Sequence, residues 1–341
     1  MCLIRGLRSD QNMSALLEVK GLKTYFATKY GEVRAVDDVS LSVAEGEVLG
    51  LVGESGSGKS ATGYSLMGLV DAPGRIVAGS VKLRGRELVG LAERDWRALR
   101  GREIAIIFQD PMLTLNPVLR IDTQIIEAIK AHADVTTARA REWAAEALAG
   151  VGIASPEDRL TAYPHQFSGG MRQRVAIAIA LLHQPKLLIA DEPTTALDVT
   201  IQGQILAQVQ TLATKMKTAV IWITHDLSVV SGLANRIAVM YAGRIVEEGA
   251  TADVLANPAH PYTRGLLRSL PSQNKPGARL TQIPGAPPRL LGERIGCSFA
   301  PRCDQAQALC ADVDPAETLV GNRAVRCHFA LLEEGAACQT L

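Results

Sequence analysis

The chain lacks an excess of charge of either sign and lacks long apolar runs. Its 36 Lys and Arg residues face 35 Asp and Glu residues, a formal net charge of +1, so composition offers no electrostatic case for nucleic acid as a partner. The longest apolar stretches, such as residues 175–182, fall far short of the roughly 20 residues that cross a bilayer. Residues 1–12 carry charges and no apolar segment typical of a secretory signal. We therefore expect any action at a membrane to be that of a peripheral subunit.

Cysteine is scarce, with six residues in the chain. Without an export signal they indicate a reducing compartment, where thiols are free or metal-bound rather than paired in disulfides. Four of them form a cluster toward the C-terminus with the spacing C-x5-C-x6-C-x16-C: Cys297, Cys303, Cys310 and Cys327. This spacing differs from the C-x2-C pairs of zinc ribbons and names no metal by itself. Two interpretations stay open from the residues: a metal that staples a segment too small to build much core, or four buried, unligated thiols.

Short apolar runs rich in β-branched residues predict the buried strands of a parallel sheet at residues 48–52, 104–108, 187–190 and 219–224. Each run ends at or before a polar residue suited to chemistry. Helical patterns occupy residues 123–132 and 136–150. This alternation predicts an α/β fold whose ligand lies along the carboxyl edge of the sheet.

The length is enough for about two domains. We predict an N-terminal extension at residues 1–13 and a nucleotide-binding domain at 14–250, with a helical subdomain at about 110–182. A helix and a Pro- and Gly-rich linker would follow at 251–292, and a metal-binding extension at 293–341. Within the second segment, the pair Ala242-Gly243 predicts a hairpin and hence a small antiparallel β part.

A complete phosphate-binding loop, Gly-x-x-x-x-Gly-Lys-Ser, runs from Gly53 to Ser60. Its glycines let successive backbone N–H groups face the phosphates, Lys59 neutralises the β- and γ-phosphates, and the Ser60 hydroxyl can ligate Mg²⁺. Asp191 ends a predicted buried strand, where its carboxylate can face a hydrated Mg²⁺. Glu192 is then free to orient or deprotonate the water that attacks the γ-phosphate. A strand end that runs into a turn is the plainer interpretation of Asp191-Glu192-Pro193, but it is weak with the loop upstream.

A second phosphate-binding motif, Ser168-Gly169-Gly170, precedes a helical run at 175–182. Its amides would lie at a helix N-terminus, which attracts anions. One nucleotide rarely needs two such cradles in one compact domain. We therefore predict that two domains pack head to tail and that each completes the other's site.

Three further side chains fit this chemistry in context. His225 ends the run at 219–224 and can donate a hydrogen bond to the γ-phosphate, although alone it would more often cap the helix that begins near Asp226. Gln109 follows the run at 104–108 and can reach Mg²⁺ or the attacking water. Phe26, or less favourably Tyr25, can stack on adenine, although a lone aromatic usually belongs to the core.

Taken in order, these motifs resemble those of ABC transporter ATPases. Residues 53–60 resemble the Walker A loop, Gln109 the Q-loop and residues 168–170 the signature. Residues 187–192 resemble the Walker B strand, 196–198 the D-loop and His225 the switch histidine. The resemblance covers residues 16 to about 249. Motifs at 107–117, 163–166 and 260–263, with the cysteine-bearing tail, resemble the ATP-binding subunits of dipeptide and oligopeptide importers. The implied fold is an ABC-type P-loop ATPase sheet core with an inserted α-helical subdomain, a small antiparallel β part and a C-terminal cysteine-bearing extension.

The resemblance implies an ATPase that powers peptide uptake and assigns roles by motif. ATP would be bound by Phe26, Gly53, Ser55, Gly56, Ser57, Gly58, Lys59, Ser60, Ala61, Gln109, Ser168, Gly169 and Gly170. Catalysis would involve Glu192, His225, Gln109 and Asp198, the last across the dimer interface. Mg²⁺ would be held by Ser60, Gln109 and Asp191, and a [4Fe-4S] cluster by Cys297, Cys303, Cys310 and Cys327.

The resemblance also implies partners. These are a second ATPase subunit, expected to be a paralogue, two transmembrane permease subunits that contact residues 109–117, and an extracytoplasmic peptide-binding protein, with the chain at the cytoplasmic face of the inner membrane. The signature departs from the commonest pattern at Phe167 and Met171, where Leu and Gln are usual. Alternatives are an importer of another solute, such as nickel or a peptide-like compound, a soluble ABC-type ATPase acting on DNA or ribosomes, and a chain whose cysteine module is chiefly a redox switch.

Overall fold

The computed structural model describes residues 15–194, 199–270 and 281–331. Within them, the strands are β1 Leu17–Thr28, β2 Gly31–Val43, β3 Val48–Val52, β4 Gly74–Leu83, β5 Arg86–Glu87, β6 Ile104–Ile107, β7 Leu187–Asp191, β8 Ala219–Thr224, β9 Arg236–Tyr241, β10 Arg244–Ala250, β11 Glu317–Val320 and β12 Arg323–Arg326. The helices are α1 Lys59–Leu66, α2 Glu93–Leu99, α3 Ile121–Lys130, α4 Thr137–Gly150, α5 Pro156–Leu160, α6 Gly169–Leu181, α7 Val199–Met216, α8 Leu227–Ser231, α9 Thr251–Ala256, α10 Pro261–Arg268 and α11 Ala308–Asp312.

The larger sheet has eight strands in the order β11-β12-β10-β9-β3-β8-β7-β6. Its centre is parallel, with β3 between β8 and β9, and β7 between β8 and β6. In β8, Val220 and Trp222 join one hydrophobic cluster while Ala219, Ile221 and Ile223 join the other. Since side chains alternate across a strand, a continuous apolar run fills both faces at once. This explains why unbroken apolar runs mark these strands in the sequence.

The smaller sheet is antiparallel, with the order β2-β1-β4-β5. It shares the second cluster with one face of the large sheet, through Val19 and Val36 on its side and Leu49 and Ile221 on the other. The predicted hairpin at Ala242-Gly243 is present between β9 and β10, and both residues have positive φ, 49° and 81°. The predicted mixture of a parallel core with antiparallel parts is therefore confirmed.

A helical insertion separates β6 from β7. It contains α3, α4 and α5, and α6 leads back to the sheet. Apolar residues on one side of α3 and α4, Ile125, Ile129, Ala144 and Leu148, are fully buried in the first cluster. The helices begin and end within two residues of the patterns at 123–132 and 136–150.

The C-terminal segment extends the large sheet. Strand β12 pairs antiparallel with β10, with Glu247 opposite Val325 and Glu248 opposite Ala324, and β11 adds the outer edge. Val325 is fully buried. The segment that carries the cysteines is thus joined to the large sheet by main-chain hydrogen bonds.

Candidate functional site

The phosphate-binding loop lies between β3 and α1, at the carboxyl edge of the parallel sheet. Two glycines are required by its path. A Cβ on Gly53 (φ 158°) would lie 2.1 Å from the Met240 carbonyl oxygen, and one on Gly58 (φ 105°) would lie 2.2 Å from the Ala35 carbonyl oxygen. Any side chain there would displace main chain, so the loop depends on glycine at both positions.

Lys59 occupies the centre of the loop. Its side chain is buried, and Nζ donates to the Gly53 carbonyl at 2.8 Å and the Glu54 carbonyl at 2.9 Å. Burial lowers the pKa of Lys59, while the nearby carboxylates of Glu192, Asp191 and Glu54 act in the opposite direction. A triphosphate in this loop would supply the negative charge that favours the ammonium form.

Ser60 and Asp191 meet although they stand far apart in the chain. The Ser60 hydroxyl donates to Asp191 Oδ1 at 2.9 Å. The second carboxylate oxygen, Oδ2, is buried and has no hydrogen-bond partner in the structure. Burial raises the pKa of Asp191, and the adjacent Glu192 adds to the effect. A buried oxygen without a partner beside a serine hydroxyl is a donor set suited to Mg²⁺.

Glu192 is the point where the predicted catalytic residues converge. Its Oε2 accepts from Gln109 Nε2 at 3.3 Å and lies 3.3 Å from His225 Nδ1. Glu192 has φ 44°, a left-handed conformation uncommon for glutamate, and its N–H donates to the Ile223 carbonyl at 3.0 Å. Non-glycine residues in this region of φ/ψ space concentrate at functional sites. The structure therefore places Gln109, Glu192 and His225 together.

The second cradle lies at the N-terminus of α6. Ser168 is the N-cap residue, and its Oγ accepts from the Met171 N–H at 3.3 Å. Ser168 and Gly169 are exposed, whereas Phe167 is buried in the core. An exposed helix N-terminus is suited to binding a phosphate.

The other predicted nucleotide contacts differ in their surroundings. Tyr25 is buried, and its hydroxyl donates to Asp37 at 2.8 Å, so it belongs to the core. Phe26 is half-buried and packs closely on Gly74. The remaining loop residues are the exposed Ser55 and Gly56, the buried Ser57 and the half-buried Ala61. Asp198 lies outside the described residues.

The four C-terminal cysteines line a single cavity of about 10 Å³, together with the buried His260. Burial raises the pKa of the Cys297 and Cys303 thiols and raises that of Cys327 to about 11. Across residues 15–194, 199–270 and 281–331, no group of three or more His, Cys, Asp or Glu side chains is arranged to hold a metal ion. The cavity is about the size of one water molecule. The predicted [4Fe-4S] cluster is therefore not supported by the structure.

One set of residues at the site has no signal in the sequence. The Glu54 carboxylate, inside the phosphate-binding loop, forms two hydrogen bonds with Arg302, and the Glu54 N–H donates to the Tyr262 hydroxyl at 2.9 Å. Glu54 and Arg302 are 248 positions apart. No spacing rule joins residues at that separation, so only the fold brings them together.

Two family models match the chain, that of the ABC transporter over residues 36–195 and that of the oligopeptide/dipeptide transporter C-terminal region over residues 246–310. The oligopeptide transport ATP-binding protein OppD of Salmonella typhimurium is 47% identical over 96% of this chain and 97% of its own length. The chain belongs to the ABC transporter family. A second similar relative is the dipeptide transport ATP-binding protein DppD of Haemophilus influenzae, which is 49% identical over 94% of this chain and 97% of its own length.

A solved structure of the same ABC fold is similar over 69% of this chain and 98% of its own length, with 26% identity and a TM-score of 0.62. It is a dimeric, post-hydrolysis state of the ATP-binding cassette MJ0796 bound to ADP and Pi. In the part of the present ABC protein that the structure describes, no helix is long and apolar enough to span a membrane. These findings confirm the predicted family, fold class and ATPase activity, without confirming the detail of the cysteine extension.

Proposed function

We propose that the chain is the ATP-hydrolysing subunit of an importer of dipeptides or oligopeptides. Relatives that match it nearly end to end are named oligopeptide and dipeptide transport ATP-binding proteins. The observation that carries the ATP-hydrolysing role is the convergence of Gln109 and His225 on Glu192, beside the hydrogen-bonded pair Ser60 and Asp191. In that arrangement, Glu192 could act as a general base next to Ser60 and Asp191, which could bind Mg²⁺ beside the phosphate-binding loop.

Each residue has a role in this mechanism. Loop N–H groups and Lys59 bind the β- and γ-phosphates, and Ser60 and Asp191 would hold Mg²⁺, which supplies charge neutralisation when bound. Glu192 orients the attacking water and accepts its proton. Gln109 and His225 both contact the Oε2 atom of Glu192, and His225, whose side chain is half exposed, can turn toward the γ-phosphate.

The finer proposal concerns assembly. Two ATP-binding subunits pair head to tail, and Ser168, Gly169 and Gly170 of each complete the phosphate site of the other. The exposed N-terminus of α6 supports this, as does the dimeric form of the similar cassette MJ0796. Permease subunits would dock at residues 109–117, where Leu113 is an exposed apolar side chain and which the exposed Val118 directly follows, and place the chain at the cytoplasmic face of the membrane.

The cysteine tail carries a separate proposal, that Cys297, Cys303, Cys310 and Cys327 bind a [4Fe-4S] cluster. The observation in favour of this proposal is that all four cysteines line the same cavity. The observation against it is the volume of that cavity, about 10 Å³, which is smaller than a cluster. A visible absorption spectrum of the anaerobically purified chain tests it. Absorbance typical of iron–sulfur clusters would support the proposal, and a colourless protein without iron would overturn it.

The transport proposal is tested by co-purifying the chain with its permease subunits and reconstituting the complex in vesicles. We expect ATP hydrolysis that rises when peptide and the extracytoplasmic binding protein are added. Hydrolysis that does not respond to peptide but rises with another solute would reassign the substrate. Salt-sensitive binding of nucleic acid by the isolated chain would instead favour the soluble ATPase alternative.

A further inference from the structure

Arg302 connects the cysteine-bearing segment to the phosphate-binding loop. Its guanidinium donates through two nitrogens to the two Glu54 oxygens at 2.6 and 2.9 Å. The Arg302 side chain is 4% exposed, and its remaining donors reach the Pro284 carbonyl at 2.8 Å and the Tyr241 hydroxyl at 3.3 Å. A buried, two-pronged contact of this kind fixes both distance and orientation.

Glu54 is well placed to transmit that constraint. Its carbonyl accepts from the Lys59 ammonium, and its N–H donates to the Tyr262 hydroxyl. Both the side chain and the main-chain N–H of Glu54 are therefore held by residues that follow β10. In the proposed mechanism Lys59 binds the β- and γ-phosphates. A shift of Glu54 would therefore also move the ammonium group that contacts the nucleotide.

Charge gives the contact a second effect. A carboxylate within a phosphate-binding loop would repel a triphosphate if its charge were not compensated. Arg302 compensates it with a cation that is itself shielded from solvent. The loop is then left with the positive charge of Lys59 to attract the nucleotide.

An aromatic cluster connects Arg302 to the cysteine cavity. Tyr241, Tyr262 and Phe299 have ring centroids 4.5 to 5.4 Å apart. Phe299 lines the cavity formed by the four cysteines, and Cys303 directly follows Arg302 in the chain. The cysteine-bearing segment is thus packed against the back of the nucleotide site.

We propose that Arg302 is a positioning residue for ATP that acts by neutralising the Glu54 charge inside the phosphate-binding loop, so that nucleotide affinity depends on the C-terminal segment. This inference rests on the proposed ATPase function and deepens it. The competing explanation is an ion pair that only stabilises the fold. The two differ in what happens when the Glu54 charge is removed.

The test uses the full-length chain and a fluorescent ATP analogue, with Kd and melting temperature measured for each variant. In Arg302→Ala we expect Kd to rise at least about tenfold, because Glu54 is left uncompensated beside the phosphates. In the double variant Arg302→Ala/Glu54→Gln, Kd should return to within about threefold of wild type, since a neutral amide at position 54 needs no counter-ion. In the assembled transporter, Arg302→Ala should raise KM for ATP while kcat changes less than about twofold.

A matched control is available in the same segment. Arg264 forms a more exposed ion pair, in which its Nη2 donates to both Asp304 oxygens at 3.1 Å and makes no contact with Glu54. Arg264→Ala removes one positive charge and one ion pair, and Kd should stay at the wild-type value. If Arg302→Ala does not fold, Glu54→Gln alone decides the matter, because an uncompensated Arg302 should tighten ATP binding about threefold.

The proposal is overturned if Kd is unchanged in Arg302→Ala or in Glu54→Gln, or if Glu54→Gln fails to restore affinity in the Arg302→Ala background. It is also overturned if the loss of affinity simply follows the loss of thermal stability. These results are separable from failure of the proposed function. That failure would appear as wild-type protein that neither binds nor hydrolyses ATP.

Discussion

At the residue scale, Glu192 is the side chain whose surroundings best define the reaction. It accepts a hydrogen bond from Gln109 and approaches His225 through one carboxylate oxygen, and its backbone has positive φ. Replacing it with Gln keeps the shape and removes the base. We expect Glu192→Gln to retain ATP binding, to lose at least about 100-fold in hydrolysis, and to accumulate as an ATP-loaded dimer.

Three measurements check this expectation: a nucleotide titration, steady-state hydrolysis and size-exclusion chromatography with ATP. Glu157→Gln is a suitable control, because Glu157 is an exposed glutamate in the first turn of α5. It should behave as wild type in all three. Near wild-type hydrolysis by Glu192→Gln would rule out Glu192 as the catalytic carboxylate.

Asp191 illustrates a conflict between stability and activity. Burial raises the pKa of Asp191, so the folded state holds its proton to a higher pH than the unfolded chain does. The stability contributed by this group is therefore present at low pH and is lost as pH rises through the folded pKa. As pH rises through that pKa, the nucleotide-free protein acquires a poorly solvated carboxylate, which a bound cation would stabilise.

Asp191→Asn should therefore stabilise the nucleotide-free chain by about 1 kcal/mol at neutral pH, since Asn still accepts from Ser60 and carries no charge. Mg²⁺-dependent hydrolysis should fall by at least about 100-fold in the same variant. Thermal melts at two pH values and a Mg²⁺ titration of hydrolysis measure both effects. A variant that is less stable than wild type at neutral pH would contradict the account of Asp191 as a destabilising buried charge.

At the scale of elements, the signature helix α6 allows a matched comparison. Ser168 caps α6 through the Met171 N–H at 3.3 Å, and Thr136 caps α4 through the Arg139 N–H at the same distance. Each substitution to Ala should lower stability by about 1 kcal/mol. Only Ser168→Ala should also lose hydrolysis, because only that cap is proposed to hold the phosphate of a partner subunit.

Chemical denaturation measures the free energy of unfolding of each variant, and an ATPase assay of the assembled transporter measures the rate of hydrolysis. Ser168→Thr keeps the hydroxyl and should recover most of the activity. If Ser168→Ala and Thr136→Ala lost equal stability and both retained full hydrolysis, the second cradle would have no role in the reaction.

The elements also show what sequence could predict and why. The apolar runs predict four of the five parallel strands to within one residue, because a strand buried on both faces must be apolar throughout, as in β8, where all six residues are buried. The sequence does not predict strands β11 and β12, because the first has three exposed residues of four and the second is only four residues long, with an arginine at each end of two apolar residues. The Walker motifs could be located from local spacing, whereas Arg302 became a candidate only from the fold.

At the scale of the whole molecule, the C-terminal segment is part of the ATPase sheet. Glu247 of β10 is fully buried, and its carboxylate accepts from the Ala259 and His260 N–H groups at 2.8 and 2.9 Å and lies 3.5 Å from Arg323 of β12. Removing β12 would take away a cation and leave the edge of β10 unpaired. Unpaired edges of this kind promote association between chains.

A chain that ends at Leu270 should therefore melt at least about 5 °C lower than the full chain and aggregate at lower concentration. It should also bind ATP more weakly, since Arg302 is removed with β12. Full-length Arg302→Ala separates the two effects, because it loses affinity while β12 stays paired with β10. If the shortened chain matched the full chain in melting temperature, solubility and ATP affinity, the C-terminal segment would contribute neither to the sheet nor to the nucleotide site, and the view of one continuous structure from phosphate-binding loop to cysteine cavity would be wrong.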